Sequence, residues 1–155
     1  MADRLAGMAD DLMDLVVAAA GDLAIELPDR RVIADGAVAW DCPLVAVALP
    51  QLTRGTVGAD VSHRNRPSDT YVAEYRLWIL RPVPVPNDDG TPPSAAKVSD
   101  AGRTLMDDAY LLTVGLRPRM AELARRCTSL SAGQATAQGP EGGLAGWSAT
   151  VRVGV

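Results

Sequence analysis

Phenylalanine is absent from the 155-residue chain, and histidine and lysine occur once each, at His63 and Lys97. With three Trp and three Tyr as the only aromatics, a close-packed core has to be built from Leu, Val, Ala and Met. A single histidine excludes a metal site assembled from several His ligands. Cys42 and Cys127 lie far apart without CxxC spacing, which excludes a disulfide framework; both read as reduced, buried small hydrophobes. No apolar run approaches the roughly 20 residues that span a bilayer. The N-terminus lacks the basic region of a signal peptide, because Asp3 offsets Arg4 and Asp10, Asp11 and Asp14 interrupt the apolar residues. A net charge of −4 excludes a protein that coats nucleic acid through many phosphate contacts. These absences leave a protein made in a reducing cytoplasm, of a length that suits one domain, 1–155.

The elements that are present alternate in period. Leu5, Met8, Leu12, Leu15 and Ala19 recur at steps of three and four and predict an amphipathic N-terminal helix, with Gly21 as its stop. Val32-Ile33 is a short extended piece ending at Asp35-Gly36. Val38, Trp40 and Cys42 then alternate, and Leu44 to Leu49 is a continuous apolar run closed by Pro50. Tyr71 to Arg81 is the clearest strand: Tyr71, Ala73, Tyr75, Leu77 and Ile79 form one face, and a half-polar, partly covered face carries Glu74, Arg76 and Trp78.

Three irregular stretches are expected. Residues 53–70 form a long inter-strand loop containing His63-Arg64-Asn65-Arg66, 82–93 a Pro-rich arm, and 129–143 a flexible Ser/Ala/Gln/Gly loop. Ser94 or Ser99 caps a central helix whose stripe is Leu105, Ala109, Leu112 and Leu116; Met120, Leu123, Ala124 and Cys127 extend the pattern beyond Gly115 and Pro118. From Leu144 the chain alternates to its last residue, with Trp147, Ala149, Val151, Val153 and Val155 on one side. The expected fold is α+β: a small, mainly antiparallel sheet, an N-terminal and a central helix packed on one face, and a C-terminal strand.

Catalytic signatures fail on inspection. Ser94-Ala95-Ala96-Lys97 fits SxxK, but its companion strings are missing and Ser94 suits a helix cap. The run Gly139 to Gly146 lacks the GxGxxG order and precedes a strand, where a dinucleotide fold needs a helix. The adjacent pairs Asp10-Asp11, Asp88-Asp89 and Asp107-Asp108 read as solvated faces, since neighbours on a helix point about 100° apart. No catalytic, cofactor-binding or metal-binding residue is therefore assigned, and the chain is not read as an enzyme.

In this order of elements, four features resemble the tail terminator, or tail completion, proteins of bacteriophages with long non-contractile tails, in particular those of actinobacterial hosts. They are the helix Met8–Ala20 before the strand entry Trp40-Asp41-Cys42-Pro43-Leu44-Val45; the strand Tyr71–Leu80 after a long loop; the Asp-rich helix Asp100–Leu116 after a Pro-rich arm; and Pro140-Glu141-Gly142-Gly143-Leu144-Ala145-Gly146-Trp147 leading into a final alternating strand. The resemblance implies a virion structural protein made in the host bacterial cytoplasm and located in the tail–neck region. It would form a homo-hexameric ring that caps the major tail tube protein, ends tube polymerisation and offers a docking surface to the head–tail connector or stopper protein. Genomic DNA would pass through without sequence-specific binding, and neither membrane nor cofactor is involved. Arg54, His63, Arg64 and Arg66 are the expected contacts to tube or connector; Trp78 is read as a subunit contact or as core. Two other readings stand beside this one: another head–tail connector, neck or minor tail protein, and a small ligand-binding or enzymatic α+β domain.

Overall fold

The computed structural model of the protein describes residues 2–54 and 71–154. Helix α1, Ala2–Asp22, buries Met8, Leu12, Leu15 and Ala19, the stripe that its periodicity predicts. Each such large side chain removed from water contributes about 1.5–3 kcal/mol. Gly21 lies inside the last turn, and the left-handed position falls instead on Ala24, at φ 53°. The Ile25 N–H there donates back to the Ala20 carbonyl at 2.9 Å, closing the helix end.

Strand β1, Arg31–Ala34, pairs in parallel with β2, Leu44–Arg54. A parallel neighbour obliges the connection to run back across a face of the sheet. Val38, Trp40 and Cys42, expected to alternate within a strand, therefore lie in that connection and pack on Leu44, Ala46 and Leu80. Strand β2 also outlasts Pro50: the ladder to β3, Tyr71–Pro82, shifts between Ala48 and Gln51 and continues to Arg54. A residue without an N–H is tolerated where the ladder is already interrupted. Thr53 and Arg54, expected in the loop 53–70, thus belong to β2, and the rest of that loop lies outside the described residues.

After the arm, whose first residue, Pro82, ends β3 and whose remainder, 83–93, holds neither helix nor strand, Ser94 caps α2, Ala95–Tyr110, accepting the Lys97 N–H at 3.4 Å. One wide π-helical turn, Leu111–Gly115, leads into α3, Arg117–Ala124, where Gly115 and Pro118 were expected to break the pattern. The inner stripe is as expected, with Leu112 and Leu116 buried and Leu105 and Ala109 partly so.

The region 129–143, expected to be a flexible loop, instead contains β4, Ser129–Ala132, and β5, Thr136–Glu141. Both pair antiparallel with the last strand, β6, Leu144–Gly154, lying one after the other along its outer edge. Their small polar residues carry no apolar period, so their order comes from a distant partner and not from local propensity. The sheet runs β1-β2-β3-β6-β4, with β5 also on β6. Only Gly fits at 146, where an added Cβ would sit 1.9 Å from the Ile79 carbonyl oxygen.

The main core lies between one sheet face and the helices: Val45, Val47, Tyr75, Leu77, Ile79 and Val151 meet the buried faces of α1, the π-helical turn and α3. The architecture is the expected α+β, with the helices on one face of a mainly antiparallel sheet.

Candidate functional site

The residues expected to make contacts fall in different places. Arg54 ends β2, exposed and paired in register with Tyr71. His63, Arg64 and Arg66 lie outside the described residues. Trp78 is half-buried on the back of the sheet in a small cluster with Leu44, Ala46, Leu80 and Trp40. The Trp40 ring meets it edge-on at 5.9 Å, and the Arg76 guanidinium covers it at 5.8 Å from the ring centre. Trp78 is thus held by its own chain on both sides.

The adjacent carboxylates also separate. Asp107 is exposed, whereas Asp108, expected on a solvated face, is fully buried. The cause is Arg81 at the end of β3, whose Nε and Nη2 donate to the two carboxylate oxygens at 2.5 and 2.7 Å. Nη2 also donates to the Glu26 carbonyl at 2.7 Å, so one guanidinium joins β3, α2 and the segment after α1. Burial pushes the Asp108 carboxyl up from the ordinary carboxylate range, and Arg81 opposes that shift. This pair locks the three elements together.

Arg119 of α3 donates two hydrogen bonds, at 2.7 and 2.8 Å, to Asp22 at the end of α1. These bonds hold the Asp22 carboxyl below its ordinary value. Arg126 likewise pairs with Asp11 at 3.0 Å. The groove between α1 and α3, about 300 Å³, is lined by these paired charges. A wider one of about 600 Å³ lies between the Pro-rich arm and the start of α2, lined by Pro84, Pro92, Lys97 and Asp100. Cys42 and Cys127 are both free, but half-buried instead of fully buried. Burial pushes the Cys127 thiol up, away from the reactive thiolate. Among the described residues, no group of three or more His, Cys, Asp or Glu is placed to hold a metal ion.

Four of the eight exposed large apolar side chains among the described residues lie on α2 and the turn that follows it. Val98, Met106, Tyr110 and Val114 are 50%, 71%, 53% and 39% exposed, and with Gly102 they step by four along α2 and the π-helical turn. Residues four apart form one ridge of a helix surface. Met106 and Tyr110 each lie one residue on from Leu105 and Ala109 of the inner stripe, a signal the sequence carries, whereas Val98, seven residues before Leu105, shares the phase of that stripe and is exposed all the same. Of α2 itself, Asp108 alone is fully buried.

A second uncovered region lies at the β1 edge of the sheet. Strand β1 is an edge, and it covers only Val45–Ala48 of β2. Among the described residues, no strand pairs with the outer side of β2 from 49 to 54. Ile33 is 47% exposed and Leu52 42% exposed; their register partners, Val47 and Ala73, face the main core, so both sit on the helix side of that edge. Among the described residues no helix is long and apolar enough to cross a membrane. No protein-family model and no curated protein matches this chain.

Proposed function

We propose that this chain is a structural protein of the phage virion, a tail terminator that assembles as a ring on the end of the tail tube. The ring stops tube polymerisation and presents the docking surface for the head–tail connector. It catalyses no reaction. The observation that carries an assembly role is the exposed apolar ridge on α2, in a domain whose β1–β2 sheet edge pairs with no further strand among the described residues. A monomer rarely keeps a contiguous apolar surface of more than a few hundred Å² without a partner. The choice of partner rests on the element order and on the strings around Trp40–Val45 and Pro140–Trp147, which resemble those of tail terminators. A head-to-tail ring suits a subunit with two dissimilar uncovered surfaces, because closure buries both in every copy. The net charge of −4 suits a passage through which DNA slides without adhering.

The test is polymerisation of purified tail-tube protein in the presence of this chain, with tube lengths measured by negative-stain electron microscopy. Capped tubes of limited length, with added density at one end, are expected. Tubes of unchanged length with bare ends would sink the proposal.

A further inference from the structure

The two long helices are held to the sheet in different ways. Helix α1 buries eight residues, so its middle cannot leave without opening the main core. Helix α2 buries one, the charged Asp108 in its last turn, which the Arg81 guanidinium grips from β3. Every residue from Ala95 to Asp100 is exposed, and Ala101, Gly102, Thr104 and Leu105 are only partly covered. One side of these first turns faces the groove of about 600 Å³ instead of packed side chains. In the arm leading to them, the Val83 N–H donates to the Gly143 carbonyl at 2.9 Å. The next backbone bonds, from the Asn87 N–H to Thr91 and from the Gly90 N–H to Asn87, stay within the arm. Beyond Asp108 the chain is anchored again, since Leu111, Leu112 and Leu116 are buried. Local propensity does not compensate for the missing burial. Val98, Ser99, Asp100, Gly102, Thr104 and Asp107 are weak helix formers, and a helix this short is marginal without packing. The ion pair within it, Arg103 to Asp100 at 2.8 Å, lies in water and adds little.

From this contrast we infer that residues 95–107 are a separate opening unit: they unfold together while Asp108, the π-helical turn, α1 and the sheet stay folded. Partial opening of a domain takes first the elements with the fewest buried apolar contacts. The Asp108–Arg81 pair marks the boundary, because opening past it would break that pair and draw Leu111 and Leu112 out of the core. This boundary falls inside the exposed apolar ridge. Val98 and Met106 belong to the opening unit and Tyr110 and Val114 to the fixed part, so the ridge is complete only while α2 is folded. A partner that covers the whole ridge therefore binds the closed form and shifts the helix toward it. The opening is a property of the single subunit and holds with or without the terminator role.

Hydrogen exchange of the dilute full chain tests this, in urea well below the unfolding midpoint, where rates follow the opening equilibrium. Amides 99–107 are compared with those of β3 and β6 in wild type, Gly7→Ala and Gly102→Ala. In wild type, 99–107 are expected to share one opening equilibrium and to exchange about 100-fold or more faster than the sheet. At both glycines an added Cβ meets open space, so each variant folds and slows the openings that unfold its own helix. Gly7→Ala should slow the sheet amides about two- to fivefold and leave 99–107 unchanged, because α1 stays folded when α2 opens. Gly102→Ala should slow both sets by the same factor, because residue 102 unfolds in both openings. Three results would each overturn the inference: exchange of 99–107 as slow as that of the sheet, rates graded outward from Ser94 as in end fraying, or slowing of 99–107 by Gly7→Ala. No tail protein enters the measurement, so its failure leaves the tube-length test of the terminator reading untouched.

Discussion

Replacing Tyr75 with phenylalanine, the residue type the chain never uses, removes one oxygen from the middle of the core. Tyr75 is fully buried on β3, and its hydroxyl donates to the Leu5 carbonyl in the first turns of α1 at 2.9 Å. That carbonyl keeps its own helical bond to the N–H four residues on, so the substitution loses one hydrogen bond and leaves no orphaned group. The expected cost is about 1 kcal/mol at pH 8. The pH dependence is the sharper part. Burial, with the nearby Cys127 adding to it, pushes the Tyr75 hydroxyl from 10.0 up to about 12. Between those values the folded chain holds the proton while the unfolded chain has released it. Stability from this group is therefore complete below pH 10 and falls as pH rises, by about 1.4 kcal/mol at pH 11. Tyr75→Phe lacks this loss, so the advantage of wild type at pH 8 should vanish near pH 11. Urea unfolding followed by tryptophan fluorescence at both pH values measures it. A gap between the two proteins that stays constant from pH 8 to 11 would refute the reasoning.

Two further substitutions test the packing of the sheet. Arg81→Met leaves the Asp108 carboxylate fully buried without its cation and should destabilise by about 3–5 kcal/mol at pH 7. Because burial already raises that carboxyl, its contribution is lost as pH climbs above the ordinary 3.8. The deficit in denaturant midpoint should therefore shrink toward pH 4, and a pH-independent deficit would count against the account. Gly146→Ala pushes a methyl to within 1.9 Å of the Ile79 carbonyl, and a cost of about 3 kcal/mol or more is expected in thermal melts. Gly7→Ala on α1, where the Cβ meets open space, should instead stabilise by about 0.5–1 kcal/mol.

Local patterns were readable wherever one side chain period meets one burial face. The stripe of α1, the buried row of β3 and the Ser94 cap each depend on residues within a turn or two, and the structure has them as expected. Proline was read too strictly: Pro50 does not end β2, because the ladder bulges around it. Residues 129–143 looked structureless because Ser, Ala, Gln and Gly encode no face, and β6 orders them from outside. Asp107-Asp108 shows the same limit within one helix. Nothing local distinguishes the two carboxylates; the arrival of Arg81, 27 residues away in sequence, buries one and leaves the other in water.

The opening scarcities keep their meaning at the level of composition. A chain without Phe packs its core around Tyr75 and a set of aliphatic side chains. The reliance on aliphatic packing follows from residue identity alone, as does the presence of apolar residues on two sides of α2. Which side of α2 would be covered, which aspartate would lose its water and which edge of the sheet would stay open were decided only by tertiary packing. Periodicity specifies the faces of an element, whereas burial depends on which other faces of the folded chain reach them. In the π-helical turn Leu111 and Leu112 are buried in the main core, whereas Met106 and Tyr110 of α2 are exposed.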